Sequence, residues 1–357
     1  MGGWLHWLGG MAALTLSVAV SADALAQTPD PPRPDCQAEG DAQPICGFLG
    51  PEDFGVLPGD QALLVTEFRM GGKPGPLSLL VLNNNSRRIL YEGGSGEAPS
   101  PGWGDPVCPG APSRGFSPHG LSLRQRADGV WVLAVVQHGG GRESIEFFEV
   151  SGAGADWRVA WRGCVLAMPH GVFNDVALFA DGGFVVSHTG APERPSAAYS
   201  WTRRDGYSEL PTTRGGYING VLLTPGDRRL VINDNAQNET RLFDLATGGL
   251  VAKVQVSSPD NAAWAPDGRL LVASFDMASG PSFPQCFAAS SGSCAKPYRI
   301  ISYAADLTDG RVIHAGGSAL MGAASIGAIV GADLFVGSAG GDRLLRVRLP
   351  PSQSTGP

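Results

Sequence analysis

The chain has 357 residues, of which 51 are glycine, 28 are proline, 43% are hydrophobic and 17% are charged. This composition excludes a wholly disordered chain, because the apolar residues can form a core and the glycines and prolines indicate many turns. The net charge of −7, without any run of lysine or arginine, excludes nucleic acid as a partner and suits a soluble protein or a cation binder.

Residues 1–26 are predicted to be a signal peptide. Residues 11–20 form an apolar stretch of signal-peptide length, and Ala24-Leu25-Ala26 has the small-x-small pattern that signal peptidase cleaves. The residues before this stretch include no lysine or arginine, so a retained membrane anchor is the alternative, although the stretch is short for a span of about 20 residues. We therefore expect a secreted or periplasmic protein with no membrane span after cleavage.

The rest of the chain divides into a Pro- and Asp-rich N-terminal segment (27–50), six strand-rich units (51–350) and a C-terminal tail (351–357). No stretch within the six units has a sustained 3.6-residue apolar period, so helices are expected to be few and confined to loops. Turn signals such as Ala265-Pro-Asp-Gly268 separate the predicted strands. Short strands are predicted at 131–136, 184–187, 229–233, 270–274 and 333–337.

The six cysteines are interpreted as disulfide-bonded, because an exported protein folds in an oxidising compartment. Six cysteines allow fifteen pairings. Cys36 with Cys46, and Cys286 with Cys294, are close in sequence and are predicted to form local bridges. A zinc site is the alternative, but the chain contains no CxxC pair.

Three short motifs place a carboxamide or carboxylate at the start of a predicted strand: Asn174-Asp175, Asn219-Gly220 and Asp260-Asn261. Their first residues are 45 and 41 positions apart, which is the repeat length of four-stranded propeller blades. A β-sandwich is the rival fold, but it does not explain this interval. The sequence therefore predicts an all-β, six-bladed β-propeller whose inner strands present oxygen ligands to one calcium ion in a central channel.

Six motifs in order resemble the paraoxonase/arylesterase family, within the wider superfamily that also holds gluconolactonases and strictosidine-synthase-like proteins. The resemblance covers roughly residues 51–349, and any one motif alone is weak. It implies a calcium-dependent lactonase with a six-bladed propeller. The motifs are Pro51-Glu-Asp-Phe-Gly-Val-Leu-Pro58, Gly115-Phe-Ser-Pro-His-Gly-Leu-Ser122 with Val132-Leu-Ala-Val-Val-Gln-His138 and Glu143-Ser-Ile-Glu-Phe-Phe-Glu149, then Asn174-Asp175, Asn219-Gly220, Asp260-Asn261, and Ala324-Ser-Ile-Gly-Ala-Ile with Leu334-Phe-Val-Gly337.

The resemblance also implies two calcium ions and a histidine pair. A second, structural calcium would be bound by Asp53, Asp175 and the carbonyl of Leu121. His119 and His138 match a dyad in which one histidine activates water and the other orients it. The matching ligands of the catalytic calcium are Glu52, Asn174, Asn219, Asp260 and Asn261.

The residue types agree with this resemblance. Carboxylate and amide oxygens are the donors that calcium prefers, and five side chains leave part of its coordination sphere for a substrate carbonyl. Each Asn or Asp pair in isolation is more typical of a turn, and the two histidines could be ordinary polar residues near the channel. The hypothesis is hydrolysis of a small-molecule lactone or aryl ester. In it, His119 activates the attacking water and His138 orients His119.

Two alternatives remain open at this point. One is a non-catalytic, calcium-stabilised propeller that binds a ligand or partner, because fold does not fix function. The other is an enzyme closer to the gluconolactonases or strictosidine-synthase-like proteins, with a different substrate. The family's animal members close the ring with a cysteine in the last blade, but this chain has no cysteine after Cys294, so ring closure is expected to depend on strand pairing.

Overall fold

The computed structural model describes residues 36–94, 96–112, 115–288 and 292–350. These ranges contain 24 strands, one 3-10 turn at Pro211–Thr213 and one short helix, α1, at Phe283–Ala288. The all-β prediction is confirmed, and both helical pieces lie in loops. No helix in this part of the chain is long and apolar enough to cross a membrane. The predicted signal peptide (1–26) and tail (351–357) lie outside the described residues.

Over the described ranges the strands form six four-stranded antiparallel sheets, which are the blades of a propeller. The first strand, β1 (Ala42–Cys46), belongs to blade 6. Blade 1 contains β2 (Pro51–Val56), β3 (Ala62–Glu67), β4 (Leu77–Val81) and β5 (Ser86–Tyr91), and blade 2 contains β6 (Pro118–Gln125), β7 (Trp131–Gln137), β8 (Ser144–Ser151) and β9 (Arg158–Leu166).

The remaining blades follow the same up-and-down order. Blade 3 contains β10 (Phe173–Leu178), β11 (Phe184–His188), β12 (Ala197–Thr202) and β13 (Gly206–Glu209), and blade 4 contains β14 (Ile218–Leu223), β15 (Arg229–Asp234), β16 (Glu239–Asp244) and β17 (Leu250–Gln255). Blade 5 contains β18 (Pro259–Trp264), β19 (Leu270–Phe275), β20 (Tyr298–Tyr303) and β21 (Arg311–Gly316), and blade 6 contains β22 (Ala324–Val330), β23 (Asp333–Ser338) and β24 (Arg343–Arg348).

The turn signals position the second strand well in five of the six blades, blades 2 to 6. The five strands predicted from them correspond to β7, β11, β15, β19 and β23, and each observed strand is one residue longer at its carboxyl end. The Ala265-Pro-Asp-Gly268 turn joins β18 to β19, and Gly268 adopts a φ of 78°, which glycine reaches without steric cost. The six-bladed propeller predicted from the sequence is therefore confirmed.

The ring is closed by strand pairing, as expected. β1 pairs antiparallel with β24, with Ala42 opposite Val347 and Cys46 opposite Arg343. The outermost strand of blade 6 therefore comes from the 27–50 segment, which the sequence analysis placed before the propeller. The first strands of the blades (β2, β6, β10, β14, β18 and β22) contact one another in a closed ring around the axis, with β22 returning to β2.

In all six blades the register between the first and second strands shifts close to the start of the first strand. Such bulges leave residues without a ladder partner and redirect their side chains. No motif in the sequence analysis predicted these bulges. The residues at the bulges include the predicted ligands Glu52, Asn174, Asn219 and Asp260, the predicted catalytic residue His119 and, on blade 6, Ser325, to which the sequence analysis assigned no role.

Apolar side chains fill the space between neighbouring blades, and three disulfides join all six cysteines. Cys36–Cys46 and Cys286–Cys294 are the two predicted local bridges. The third bridge, Cys108–Cys164, spans 56 residues and ties the loop before blade 2 to β9. Its two buried cysteines pack with Trp161 and Phe116 in the core between blades 1 and 2.

Candidate functional site

An axial cavity of about 960 Å³ opens where the first strands of the blades begin. Four of the five predicted calcium ligands line it: Glu52, Asn174, Asn219 and Asp260. The fifth, Asn261, is buried beside them and donates a hydrogen bond from Nδ2 to Oε1 of Glu52 at 2.7 Å. Side chains that are far apart in the chain therefore meet at one point, because each stands at the same place in its blade.

Four buried oxygens in this group have no hydrogen-bond partner: Oε2 of Glu52 and the Oδ1 atoms of Asn174, Asn219 and Asn261. Buried polar atoms are nearly always paired, and leaving one unpaired costs about 1–3 kcal/mol. Hard oxygen atoms that converge without donors are what a calcium ion requires. The donor set therefore fits calcium.

The acidic side chains of the cavity also indicate a cation site. Burial, together with the repulsion of neighbouring carboxylates, raises the pKa of Glu52 well above its ordinary value. Burial likewise raises the pKa of Asp260 to about 8, although a hydrogen bond from Asn219 opposes the shift. Among the described residues that line the cavity there is no lysine or arginine. A divalent cation would supply the missing counter-charge.

Within the described residues, no three His, Cys, Asp or Glu side chains form a group that could hold a metal ion by themselves. The carboxylates of Glu52 and Asp260 would therefore need the three asparagine amides to complete a site. This mixture excludes the histidine- and thiolate-rich sites typical of zinc or copper and leaves a hard cation as the fitting ion.

Asp53 and Asp175, predicted to bind a second calcium, link neighbouring blades. Asp53 accepts hydrogen bonds from its own neighbour Phe54 (2.8 Å) and from the backbone N–H of Leu121 on blade 2 (2.7 Å). Asp175 does the same with Val176 (2.7 Å) and with the N–H of Val221 on blade 4 (2.8 Å). All four oxygens already accept an N–H, unlike those of the first set. The second ion stays a prediction.

The pKa values of these two aspartates are also displaced by their surroundings. Burial raises the pKa of Asp53 to about 7, although its backbone hydrogen bonds oppose the shift. Burial and the charge of Asp53 raise the pKa of Asp175 well above its ordinary value. A nearby cation would oppose both shifts, because it favours the charged form of a carboxyl group.

The two predicted catalytic histidines are hydrogen-bonded at the edge of the ligand group. Nδ1 of His119 lies 2.9 Å from Nε2 of His138, and Nε2 of His119 lies 3.8 Å from Oε1 of Glu52. Burial, followed by the charge of His138, lowers the pKa of His119 well below its ordinary value. This lowered pKa favours the neutral ring of His119, which has one unprotonated nitrogen.

Two other histidines do not line the cavity. His188 is fully buried, donates from Nε2 to the carbonyl of His170 at 3.0 Å, and accepts the N–H of Gly190 at Nδ1. Both ring nitrogens are thus used by the backbone. His188 stabilises the loop after β11, whereas His170 has an exposed side chain and a φ of 58°.

The sequence did not indicate the aromatic wall of the cavity. Phe68 stacks on His119 with ring centroids 3.9 Å apart and planes 9° apart, and its ring edge contacts Phe287. Phe283 and Phe287 come from α1, in the long loop between β19 and β20 that also carries the Cys286–Cys294 bridge. The sequence analysis also assigned no role to Glu143, which is hydrogen-bonded to His138 on the side away from His119. These contacts join segments distant in sequence, so no local motif reveals them.

No protein-family model and no curated protein sequence matches the chain. Solved structures do resemble it. A gluconolactonase from Xanthomonas campestris has a TM-score of 0.52 at 13% identity, covering 87% of this chain and 89% of its own. A putative gluconolactonase (TM-score 0.50, 14% identity, 88% and 93% covered) and a luciferin-regenerating enzyme (0.50, 12%, 85% and 92%) are similar to it as well. At these identities the likeness establishes the propeller fold.

Proposed function

We propose that this chain is a calcium-dependent hydrolase of lactones, with aryl esters as secondary substrates. The observation that carries the proposal is the group of four buried, unpaired oxygens beside a histidine pair, at the base of a cavity of about 960 Å³. This arrangement supports the proposal, because oxygens suited to a cation, a histidine pair suited to proton transfer and a space of ligand size lie together at the axis.

Calcium would be held by Glu52, Asn174, Asn219, Asp260 and Asn261, and when bound it would polarise a substrate carbonyl and stabilise the negative charge that develops on its oxygen. The asparagine amides leave their Oδ1 atoms free for this purpose. Nδ2 of Asn261 holds Glu52 in place by its 2.7 Å hydrogen bond. These residues would hold and orient the ion, and the proposal assigns proton transfer to none of them.

Proton transfer falls to His119. Its neutral ring takes a proton from water as the water attacks the carbonyl carbon, and later returns the proton to the leaving alkoxide. His138 holds the ring through the 2.9 Å hydrogen bond, and Phe68 stacks against its face. The Phe68 ring also excludes water from one face of His119 and holds the imidazole in one orientation. The attacking water oxygen is thereby kept in a defined position.

The lining of the cavity bears on the substrate. Its lining combines apolar side chains, among them Phe283, Phe287, Val172 and Met277, with the polar groups of the predicted ligands and histidines. A lactone with an apolar substituent fits such a mixed lining. A sugar lactone, the substrate class that the name of the gluconolactonase neighbours indicates, is the second candidate, favoured by the shared fold.

The three disulfides support a location outside the cytoplasm, where such bonds persist. Together with the predicted signal peptide, they lead us to propose that the enzyme acts in the periplasm or is secreted.

The direct test compares the metal-stripped and calcium-reloaded protein on a panel of alkyl lactones, sugar lactones and phenyl acetate. We expect hydrolysis to disappear on chelation and to return with calcium. Asp260→Ala should abolish calcium binding measured by calorimetry, whereas His119→Gln should keep it and lose turnover. Calcium binding without turnover on any member of the panel would favour a non-catalytic binding propeller instead.

A further inference from the structure

We propose that Glu143 is a positioning residue that fixes the tautomers of both histidines and leaves Nε2 of His119 free to accept a proton. The structural part of this inference concerns hydrogen bonds alone. Its consequence for catalysis rests on the proposed function.

Glu143 is the third member of a continuous chain of hydrogen bonds. Its Oε2 lies 2.9 Å from Nδ1 of His138, whose Nε2 lies 2.9 Å from Nδ1 of His119. The three side chains are largely shielded from solvent, with exposures of 22%, 14% and 11% from Glu143 to His119. Shielding strengthens such a chain, because water competes less for its members.

The carboxylate decides where the protons lie. An ionised carboxylate only accepts hydrogen bonds, so Nδ1 of His138 must carry its proton. In the neutral ring Nε2 of His138 is then an acceptor, and Nδ1 of His119 must donate to it. The remaining nitrogen of neutral His119, Nε2, is therefore unprotonated. This is the nitrogen that lies 3.8 Å from Glu52, on the side of the ligand group.

The second oxygen of Glu143 connects this chain to the metal-ligand strand. Oε1 accepts the backbone N–H of Phe173 at 2.7 Å, and Phe173 directly precedes the predicted ligand Asn174 at the start of β10. Glu143 thus bridges blade 2 and blade 3. One carboxylate sets the orientation of the histidines relative to the ligand side chains.

The local backbone is shaped to allow this contact. Three glycines separate His138 from Arg142 and Glu143, and two of them, Gly140 and Gly141, have φ values of 64° and 72°. An added Cβ at Gly139 would overlap the carbonyl oxygen of Gly115. The tight loop returns Glu143 to the side of His138, five positions earlier in the chain.

A purely structural role for Glu143, as an acceptor for the Phe173 N–H, must be distinguished from this proposal. Such a role would change stability but not the proton positions on the two rings. The test is therefore nitrogen NMR of ¹⁵N-histidine-labelled, calcium-loaded full-length protein. The ¹⁵N shifts separate protonated from unprotonated ring nitrogens, and His119→Gln and His138→Gln spectra assign the signals.

In the wild type we expect protonated Nδ1 and unprotonated Nε2 on both rings. In Glu143→Ala we expect His138 to move largely to the Nε2–H form and the hydrogen bond to His119 to weaken. Glu149→Gln is the matched control, because Glu149 lies on β8 of the same blade, is 35% exposed and pairs with Arg162 away from the cavity. Its spectrum should equal that of the wild type.

Turnover gives the second readout. With phenyl acetate or a γ-lactone we expect Glu143→Ala to lower kcat about 10- to 100-fold with little change in KM, and Glu143→Asp to recover part of the loss. If Glu143→Ala does not fold, Glu143→Gln keeps the volume with one acceptor oxygen instead of two, and a smaller shift of the same signals is expected. Wild-type proton positions in folded Glu143→Ala, or in Glu143→Gln if the alanine variant does not fold, would overturn the inference, whether or not the wild type hydrolyses a lactone.

Discussion

At Gly220, blades 4 and 5 approach each other so closely that their spacing depends on the absence of a side chain. An ideal Cβ on this residue would lie 2.5 Å from the carbonyl oxygen of Asp260, 2.9 Å from Cα of Asn261 and 3.3 Å from Nδ2 of Asn233. The first two atoms belong to the backbone of the strand that carries two predicted calcium ligands. In Gly220→Ala this backbone must move by on the order of 0.5–1 Å to restore ordinary contact distances.

The magnitude follows from these contacts. Overpacking costs about 1–3 kcal/mol, and rigid backbone neighbours place Gly220→Ala near the upper end. The lower entropy of the unfolded alanine chain returns about 0.4–1 kcal/mol. We therefore expect the free energy of unfolding to fall by about 2 kcal/mol. Metal–ligand distances tolerate only about 0.2 Å, so calcium affinity should fall about tenfold or more.

Urea unfolding of the metal-free protein measures the stability change, and calorimetric titration measures calcium affinity. Gly249→Ala is the matched control, because its Cβ would meet only the hydroxyl of Thr247 at 3.2 Å, in a turn far along blade 4 from the axis. That variant should lie within about 0.5 kcal/mol of the wild type. Unchanged stability together with unchanged calcium affinity in Gly220→Ala would refute the close-approach argument.

Three further outcomes are expected. Replacing Cys108 and Cys164 by serine opens a loop of 56 residues and should lower the free energy of unfolding, measured in urea, by about 4 kcal/mol. Trp161→Phe leaves the buried carboxylate of Glu146 without its 2.7 Å indole donor and should cost about 1–3 kcal/mol in the same assay. Ser325→Ala removes a 2.6 Å hydrogen bond from blade 6 to a blade 1 carbonyl and should lower the thermal midpoint by about 2–4 °C.

Much of the fold follows from local signals. Pro-Asp-Gly and Asp-Gly-Gly turns fix where the second strands begin, because glycine supplies the positive φ that these turns need. The blade-length interval between Asn174, Asn219 and Asp260 predicts the propeller, and the structure brings these residues to one cavity. Such features can be predicted from the sequence because every blade repeats the same strand order and packs in the same way.

Other features could not be read from the sequence, because they depend on contacts between distant segments. Cys108 and Cys164 are brought together only by the packing of a loop against β9. Phe68 meets His119 across two blades. Glu143 was visible inside a motif, yet its contact with the N–H of Phe173 requires the third blade to be in place.

The pairing of β1 with β24 has a consequence for the order of folding. Hydrogen bonds near the axis join residues 209 positions apart, between Asn261 and Glu52, and 273 positions apart, between Ser325 and Glu52. Contacts of such long range form late, because a large loop entropy must be overcome first. Blades 1 to 5 can each form from neighbouring strands, whereas blade 6 needs β1 from the other end of the chain, so the predicted ligand group is complete only when the two ends of the ring have joined. Binding of the proposed calcium ion would therefore stabilise the closed ring relative to any partly folded set of blades.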